Sequence, residues 1–168
     1  MFRMAVTACV SLVLVACAGA PRTPSSDAAE VARILAAVQA AGAREQSGLE
    51  VTPLADPGVD MLRQQARSAA LQGHYDEAEA KLAQALRLHP DSPPIVQQQA
   101  ELALRRGDWA SAEALARRSW QLGPRLGSLC AENWQTVLEM RRLAGDEVGM
   151  QAARDGLASC HVEEVHRY

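Results

Sequence analysis

Two stretches decide the fold: Gly73-His74-Tyr75-Asp76-Glu77-Ala78 and Gly107-Asp108-Trp109-Ala110-Ser111-Ala112, whose leading glycines stand 34 residues apart. The register holds beyond them, since Ala85, Leu86 and Pro90 are answered at the same offset by Ser119, Trp120 and Pro124. Each glycine permits a tight turn between two helices, the aromatic packs under it, and the alanine lets the helices approach. The proline after Leu88-His89, or after Leu122-Gly123, ends the second helix of its unit, because it lacks an amide hydrogen and clashes with the preceding turn.

A helical hairpin with this period resembles the tetratricopeptide repeat (TPR). The resemblance implies an all-α fold over residues 59–161, with two regular hairpins and one atypical one stacked in a short right-handed solenoid. Composition agrees, for alanine and leucine dominate and there are only one Phe and two Tyr. In the third unit Trp134 is expected to begin the first helix and Gly145-Asp146 to form the turn, with Met150, Ala153 and Leu157 pointing inward from the second. The step from Gly107 to Gly145 is 38 residues, so four extra residues are expected within Arg125 to Leu129.

The amino terminus differs in kind. Met1-Phe2-Arg3-Met4 is a weakly basic start, and Ala5 to Ala16 is almost wholly apolar, short for a membrane span but right for a signal-peptide core. It ends in Leu14-Val15-Ala16-Cys17, which resembles the bacterial lipobox. That resemblance implies a signal peptide at 1–16 and a mature chain starting at Cys17. The cysteine would carry a thioether-linked diacylglycerol and an amide-linked acyl chain such as palmitate, anchoring the protein in a lipid bilayer. Ala18 replaces the aspartate that commonly retains such lipoproteins in the inner membrane, so the periplasmic face of the outer membrane is expected. An ordinary secretory peptide cut near Ala18 or Ala20 is the alternative.

Residues 17–26 then form the lipidated cysteine and a short linker, 27–58 an N-terminal helix and an extended arm, and 162–168 a tail. Ser26 or Asp27 can cap the helix, Val31, Ile34, Leu35 and Val38 share one face, and Gly42 is expected to stop it. Leu49 to Leu54 reads as extended, and Asp56-Pro57-Gly58 as a turn before the next helix. Of the four cysteines, Cys9 leaves with the signal peptide and Cys17 is lipidated. Cys130 and Cys160 remain, at the open ends of the third hairpin, where an oxidising compartment would join them. Two reduced, buried thiols are the alternative.

The net charge of −3 is mild and both signs are interspersed, which gives no reason to expect a nucleic-acid partner. The sequence has no nucleophile elbow, phosphate loop, HExxH or dinucleotide fingerprint, and no marked carboxylate pair. No catalytic residue and no cofactor is therefore expected, and the protein is read as a non-enzyme. His161, Glu163, Glu164 and His166 follow Cys160, but structural zinc wants four consistent ligands, so they are read as a surface tail with no metal.

Short TPR arrays hold partners on the concave face built from the first helix of each hairpin. The partner-binding candidates are Arg63, Arg67 and Leu71 in the first unit, and Gln97, Glu101, Leu104 and Arg105 in the second. The third supplies Glu132, Gln135, Glu139 and Arg142. Their mixed sign favours neither a purely acidic nor a purely basic peptide. Trp109 and Trp120 are read as packing residues.

From Leu49 to Cys160 the chain also resembles small TPR lipoproteins of Gram-negative envelopes. The likeness is carried by Pro53-Leu54-Ala55-Asp56-Pro57, by Ala114-Leu115-Ala116-Arg117-Arg118-Ser119, and by Asn133-Trp134 followed by Gly145-Asp146 and Gly149. Within that group are lipoproteins similar to the outer-membrane activator of the class A penicillin-binding protein of pseudomonads. The resemblance implies an adaptor or scaffold that binds an envelope protein, here a bifunctional peptidoglycan synthase whose synthesis activities it stimulates. Such relatives span the periplasm with a long proline- and alanine-rich linker, whereas Ala18 to Ser25 reaches only about 25 Å at about 3.3 Å per residue. That shortness favours a partner beside the same membrane, such as a pilus or secretion secretin served by a pilotin-like assembly factor. A structural lipoprotein that forms a homodimer is the third reading. An exposed patch around Leu71 and Leu104 would mark a binding groove, and one around Met150 and Leu157 a dimer.

Overall fold

A computed structural model describes residues 26–45 and 56–161. The signal peptide expected at 1–16, the lipidation and linker expected at 17–25, the extended arm expected at 46–55 and the tail after His161, Glu163, Glu164 and His166 included, lie outside the described residues. The described residues are all-α: α1 (Ser26–Arg44), α2 (Pro57–Leu71), α3 (Tyr75–Leu88), α4 (Pro93–Arg106), α5 (Trp109–Leu122), α6 (Ser128–Leu143) and α7 (Glu147–Ala158). Three antiparallel hairpins, α2–α3, α4–α5 and α6–α7, form a TPR-like stack. None of these helices is long and apolar enough to cross a membrane.

Local chemistry sets the boundaries. Gly73, Gly107 and Gly145 take φ of 80°, 74° and 66°, a left-handed conformation that glycine adopts without strain, and so end α2, α4 and α6. Asp108 and Asp146 then cap α5 and α7 by accepting from the amides of Ser111 (3.1 Å) and Gly149 (2.9 Å). Asp56 accepts from Gly58 N at 2.8 Å, and Pro57 occupies the first helical position, where its missing N–H leaves no bond unmade. Asp56-Pro57-Gly58 is thus the cap and first turn of α2, not a turn ahead of it.

Alanines line the hairpin contacts. Ala66, Ala69, Ala78, Ala85, Ala100, Ala112, Ala116 and Ala153 are all buried, with Leu82, Ile95 and Val137 filling the space between helices. Ser119 stands where the first unit has Ala85, and its hydroxyl donates to Pro93 O at 2.8 Å, so a buried polar group is satisfied.

The third hairpin departs from expectation. Helix α6 already begins at Ser128, so Cys130 lies in its first turn and Trp134 in its middle rather than at its start. With 16 residues against 14 in α4, α6 itself absorbs much of the insertion expected in Arg125 to Leu129. The added length is usable because α1, α5 and α7 all cover α6. Cys130 and Cys160 are bonded, with Cα atoms 5.6 Å apart. Gly127 N donates to Cys160 O at 2.8 Å across the same junction. Closing a loop of this length lowers the entropy of the unfolded chain, worth about 3–4 kcal/mol. Trp134 meets the Trp120 ring edge to face at 5.0 Å.

Helix α1 does not stop at Gly42. It continues to Arg44 and lies on α6, with a lesser contact to α4. Gly42 serves a close approach instead, since a Cβ there would fall 2.5 Å from a carboxylate oxygen of Glu132. The apolar stripe is as expected: Ile34, Leu35 and Val38 are buried against Ala103, Leu104 and Met140, and Val31 is half-buried beside them.

Candidate interaction face

Helices α2, α4 and α6 are the first helices of their hairpins and neighbour one another, forming the face on which the partner-binding residues were placed. Helix α1 lies across its α4–α6 end, so the face has a covered part and an open part.

Under the cover, Leu104 is 0% exposed and packs on α1, so the Leu71–Leu104 patch does not form. Gln135 and Glu139 are also buried. Glu139 accepts hydrogen bonds from Arg33 of α1 (2.5 Å), from Arg142 (2.9 Å) and from Gln135 (3.1 Å). Burial pushes its carboxyl upward, but the two guanidinium groups outweigh that and hold it below the ordinary value. Glu30 of α1 completes the network by accepting from Arg33 at 3.0 Å and from Arg142. Those two hydrogen bonds hold the Glu30 carboxyl at about 2. Arg33 and Arg142 are raised in return, chiefly by their hydrogen bonds to Glu139. Glu132 lies under Gly42. Gln97 is buried between α4 and α6, donating to Thr136 Oγ1 at 3.1 Å, and so is a packing residue rather than part of a groove surface.

At the open end stand Arg63, Arg67, Leu71, Glu101 and Arg105. Arg63 Nε donates to Gln98 Oε1 (3.3 Å) while Gln98 Nε2 donates to Arg63 O (2.8 Å), a two-way link between α2 and α4. Gln98 was not among the expected residues, and nothing in the repeat pattern marks it. Glu101 is set in a recess of about 20 Å³ with Arg67 and Arg105 on its rim, room for about one water. Burial raises its pKa, opposed by the charges of Arg67, Arg105 and Arg63, so Glu101 is recessed rather than on an open surface. Arg67 and Arg105 flank the recessed glutamate, while Arg63 pairs with Asp60 at 3.7 Å, so this end is mixed in sign. Leu71 is 68% exposed beside it.

Other candidates are dispersed. His74 pairs with Glu77 (3.9 Å), His89 with Asp56 (3.7 Å) and His161 with Glu45 (3.0 Å). The described residues contain no cluster that could hold a metal ion. Met150 and Leu157 are half-buried, Leu157 against the disulfide, so no exposed apolar patch is centred on them.

A stack of helical hairpins presenting a lined face defines a protein-interaction module. Residues 69–126 match the tetratricopeptide repeat family, so a TPR domain is present, running from the end of α2 through the loop after α5. The atypical third hairpin lies outside that match. No curated protein and no solved structure matches the chain. TPR modules are characteristically non-catalytic scaffolds, which agrees with reading these hairpins as a protein-interaction module.

Proposed function

We propose that the chain is an envelope lipoprotein, held at Cys17 on the periplasmic face of the outer membrane, whose TPR module holds a protein partner on the open α2–α4 end of its first-helix face. The observation that carries this is the pair Arg67 and Arg105 on the rim of the Glu101 recess, with Leu71 exposed one turn along α2 from Arg67. Two arginines with an apolar neighbour suit a partner segment that offers carboxylates and an apolar side chain. The resemblance of Leu49–Cys160 to TPR lipoproteins favours a bifunctional peptidoglycan synthase as that partner, with the chain as its activator. Docking of α1 favours a second reading. With α1 seated, only residues 18–25 separate Cys17 from the module, which suits a secretin in the same membrane.

One experiment tests both. Crosslinking and capture from native membranes would compare wild type, the Arg67→Glu/Arg105→Glu variant and the Cys17→Ala variant. Wild type should recover a class A penicillin-binding protein, the charge variant should lose at least tenfold of it, and the Cys17 variant should leave the membrane fraction. Recovery of a secretin in its place selects the second reading. Equal capture by wild type and the charge variant would remove the open end as the contact surface.

A further inference from the structure

Helix α1 is not part of a hairpin. Its main contacts are with α6 and α4, both first helices, on the face that TPR hairpins leave open, while its C-terminal end also meets the end of α7 through Ala41 and through the Glu45–His161 pair at 3.0 Å. We infer that the α4–α6 groove is a receptor for an amphipathic helix, filled in this chain by α1 as an internal ligand that a partner helix of the same pattern displaces. The inference rests on reading the first-helix face as a contact surface, but it concerns a different end of that face and a different ligand from the open recess.

Three observations point the same way. The floor is apolar where α1 is apolar: Ile34, Leu35 and Val38 meet Leu104, Ala103 and Met140. Its charges are complementary and set the direction of the helix, since Arg33 reaches Glu139 while Glu30 reaches Arg142. A ligand entering in reverse would put each charge against its like. Much of the stack is also joined without α1. One hydrophobic cluster joins α2, α3 and α4, another joins α4 through α7, and neither includes an α1 residue. The Cys130–Cys160 bond ties α6 to the end of α7 covalently, with Ala41 of α1 packed beside it. The ligand class follows from the occupant: a helix with apolar residues at i, i+1, i+4 and i+7, as at 34, 35, 38 and 41, and an acidic–basic pair at i−4 and i−1, as at Glu30 and Arg33.

The test uses the full chain and a fluorescent synthetic peptide of residues 26–45, with no envelope partner. Ile34→Asp/Val38→Asp should expel α1, because two charges would enter an apolar floor. That variant, still helical and disulfide-bonded, should bind the peptide at least tenfold more tightly than wild type. Adding Glu139→Arg should weaken binding at least tenfold, and a peptide carrying Arg33→Glu should restore part of it. An expelled variant that ignores the peptide, or wild type that binds it equally well, overturns the inference. If the variant unfolds, hydrogen exchange on wild type decides. Amides at 34–41 should open at least a hundredfold more often than those of Leu82 to Leu86 in α3, and equal protection would make α1 an inseparable part of the fold. Failure here is distinguishable from failure of capture at the α2–α4 recess, because this test changes Ile34, Val38 and Glu139 while that one changes Arg67 and Arg105, although Arg105 borders both.

Discussion

Gly156→Ala is the sharpest test of the α6–α7 register that holds up the covered groove. In an exposed helix the substitution stabilises, by about 1 kcal/mol. At Gly156 a Cβ would lie 2.4 Å from both Cδ2 and Cε2 of Trp134, and 2.8 Å from Cε3. The indole has no easy retreat. Trp120 stands edge to face against it at 5.0 Å, and the Arg117 guanidinium lies over the ring at 5.8 Å. Forcing a methyl into such packing costs about 1–3 kcal/mol, and contacts this short place the cost at the upper end. The helix-propensity gain therefore loses, leaving a net destabilisation of about 1–2 kcal/mol. For a domain of this size that is a fall in Tm of roughly 3–8 °C. Far-ultraviolet circular dichroism would follow melting, and the near-ultraviolet signal would report the displaced tryptophans. A Tm that rises with the near-ultraviolet spectrum unchanged would refute the reasoning, because the ring could not then lie over Gly156.

Two further predictions concern the charges around the groove. Acid should release α1 before the hairpins melt: Glu30 is lowered from 4.5 to about 2 and Glu139 is lowered too, so their contribution is complete above about 4.5 and is lost as pH falls from there toward 2. Backbone NMR resonances of α1 should shift over that range while those of α3 hold, and simultaneous loss of both would contradict it. Glu139→Gln should lower Tm, whereas Glu101→Gln should leave it unchanged or raise it, since the native state favours the charged form of the first and disfavours that of the second. A comparable fall in Tm for both would show that the recess around Glu101 stabilises its charge.

The hairpins were legible in the sequence because their signals are local. A glycine that must turn left-handed, an aspartate that caps the next helix and an alanine at a close contact each act within a few residues, and recurrence at one offset makes coincidence a poor account. The bonded cysteines followed from the same logic, once the third hairpin was placed. Gly42 shows where that logic ends. A glycine after an amphipathic run is an ordinary stop signal, yet here its missing side chain admits Glu132 from α6, a residue far away in sequence. The stripe of α1 was likewise plain, but a stripe names no partner. Leu104, Gln135 and Glu139 were therefore placed on an open face that α1 covers. Trp134 was assigned to the start of a helix by its resemblance to the repeat pattern, while the extra length of α6 moves it to the middle. Each miss is a tertiary contact overriding a local reading.

The position of α1 bears on both proposed partners. While it is docked, the module can stand no farther from a lipidated Cys17 than residues 18–25 allow, roughly 25 Å at about 3.3 Å per residue. Were α1 displaced, every residue from Ala18 to Asp56 would join the tether, whose limit becomes roughly 130 Å at the same rise. Filling the groove and shortening the reach are thus one event, and opening the groove lengthens the reach. A secretin beside the anchor is within range of the docked form, whereas a synthase across the periplasm is within range only of the released one. The two partner readings therefore differ in the state of α1 that each requires, and a helix that displaced α1 would open the groove and lengthen the reach in a single step.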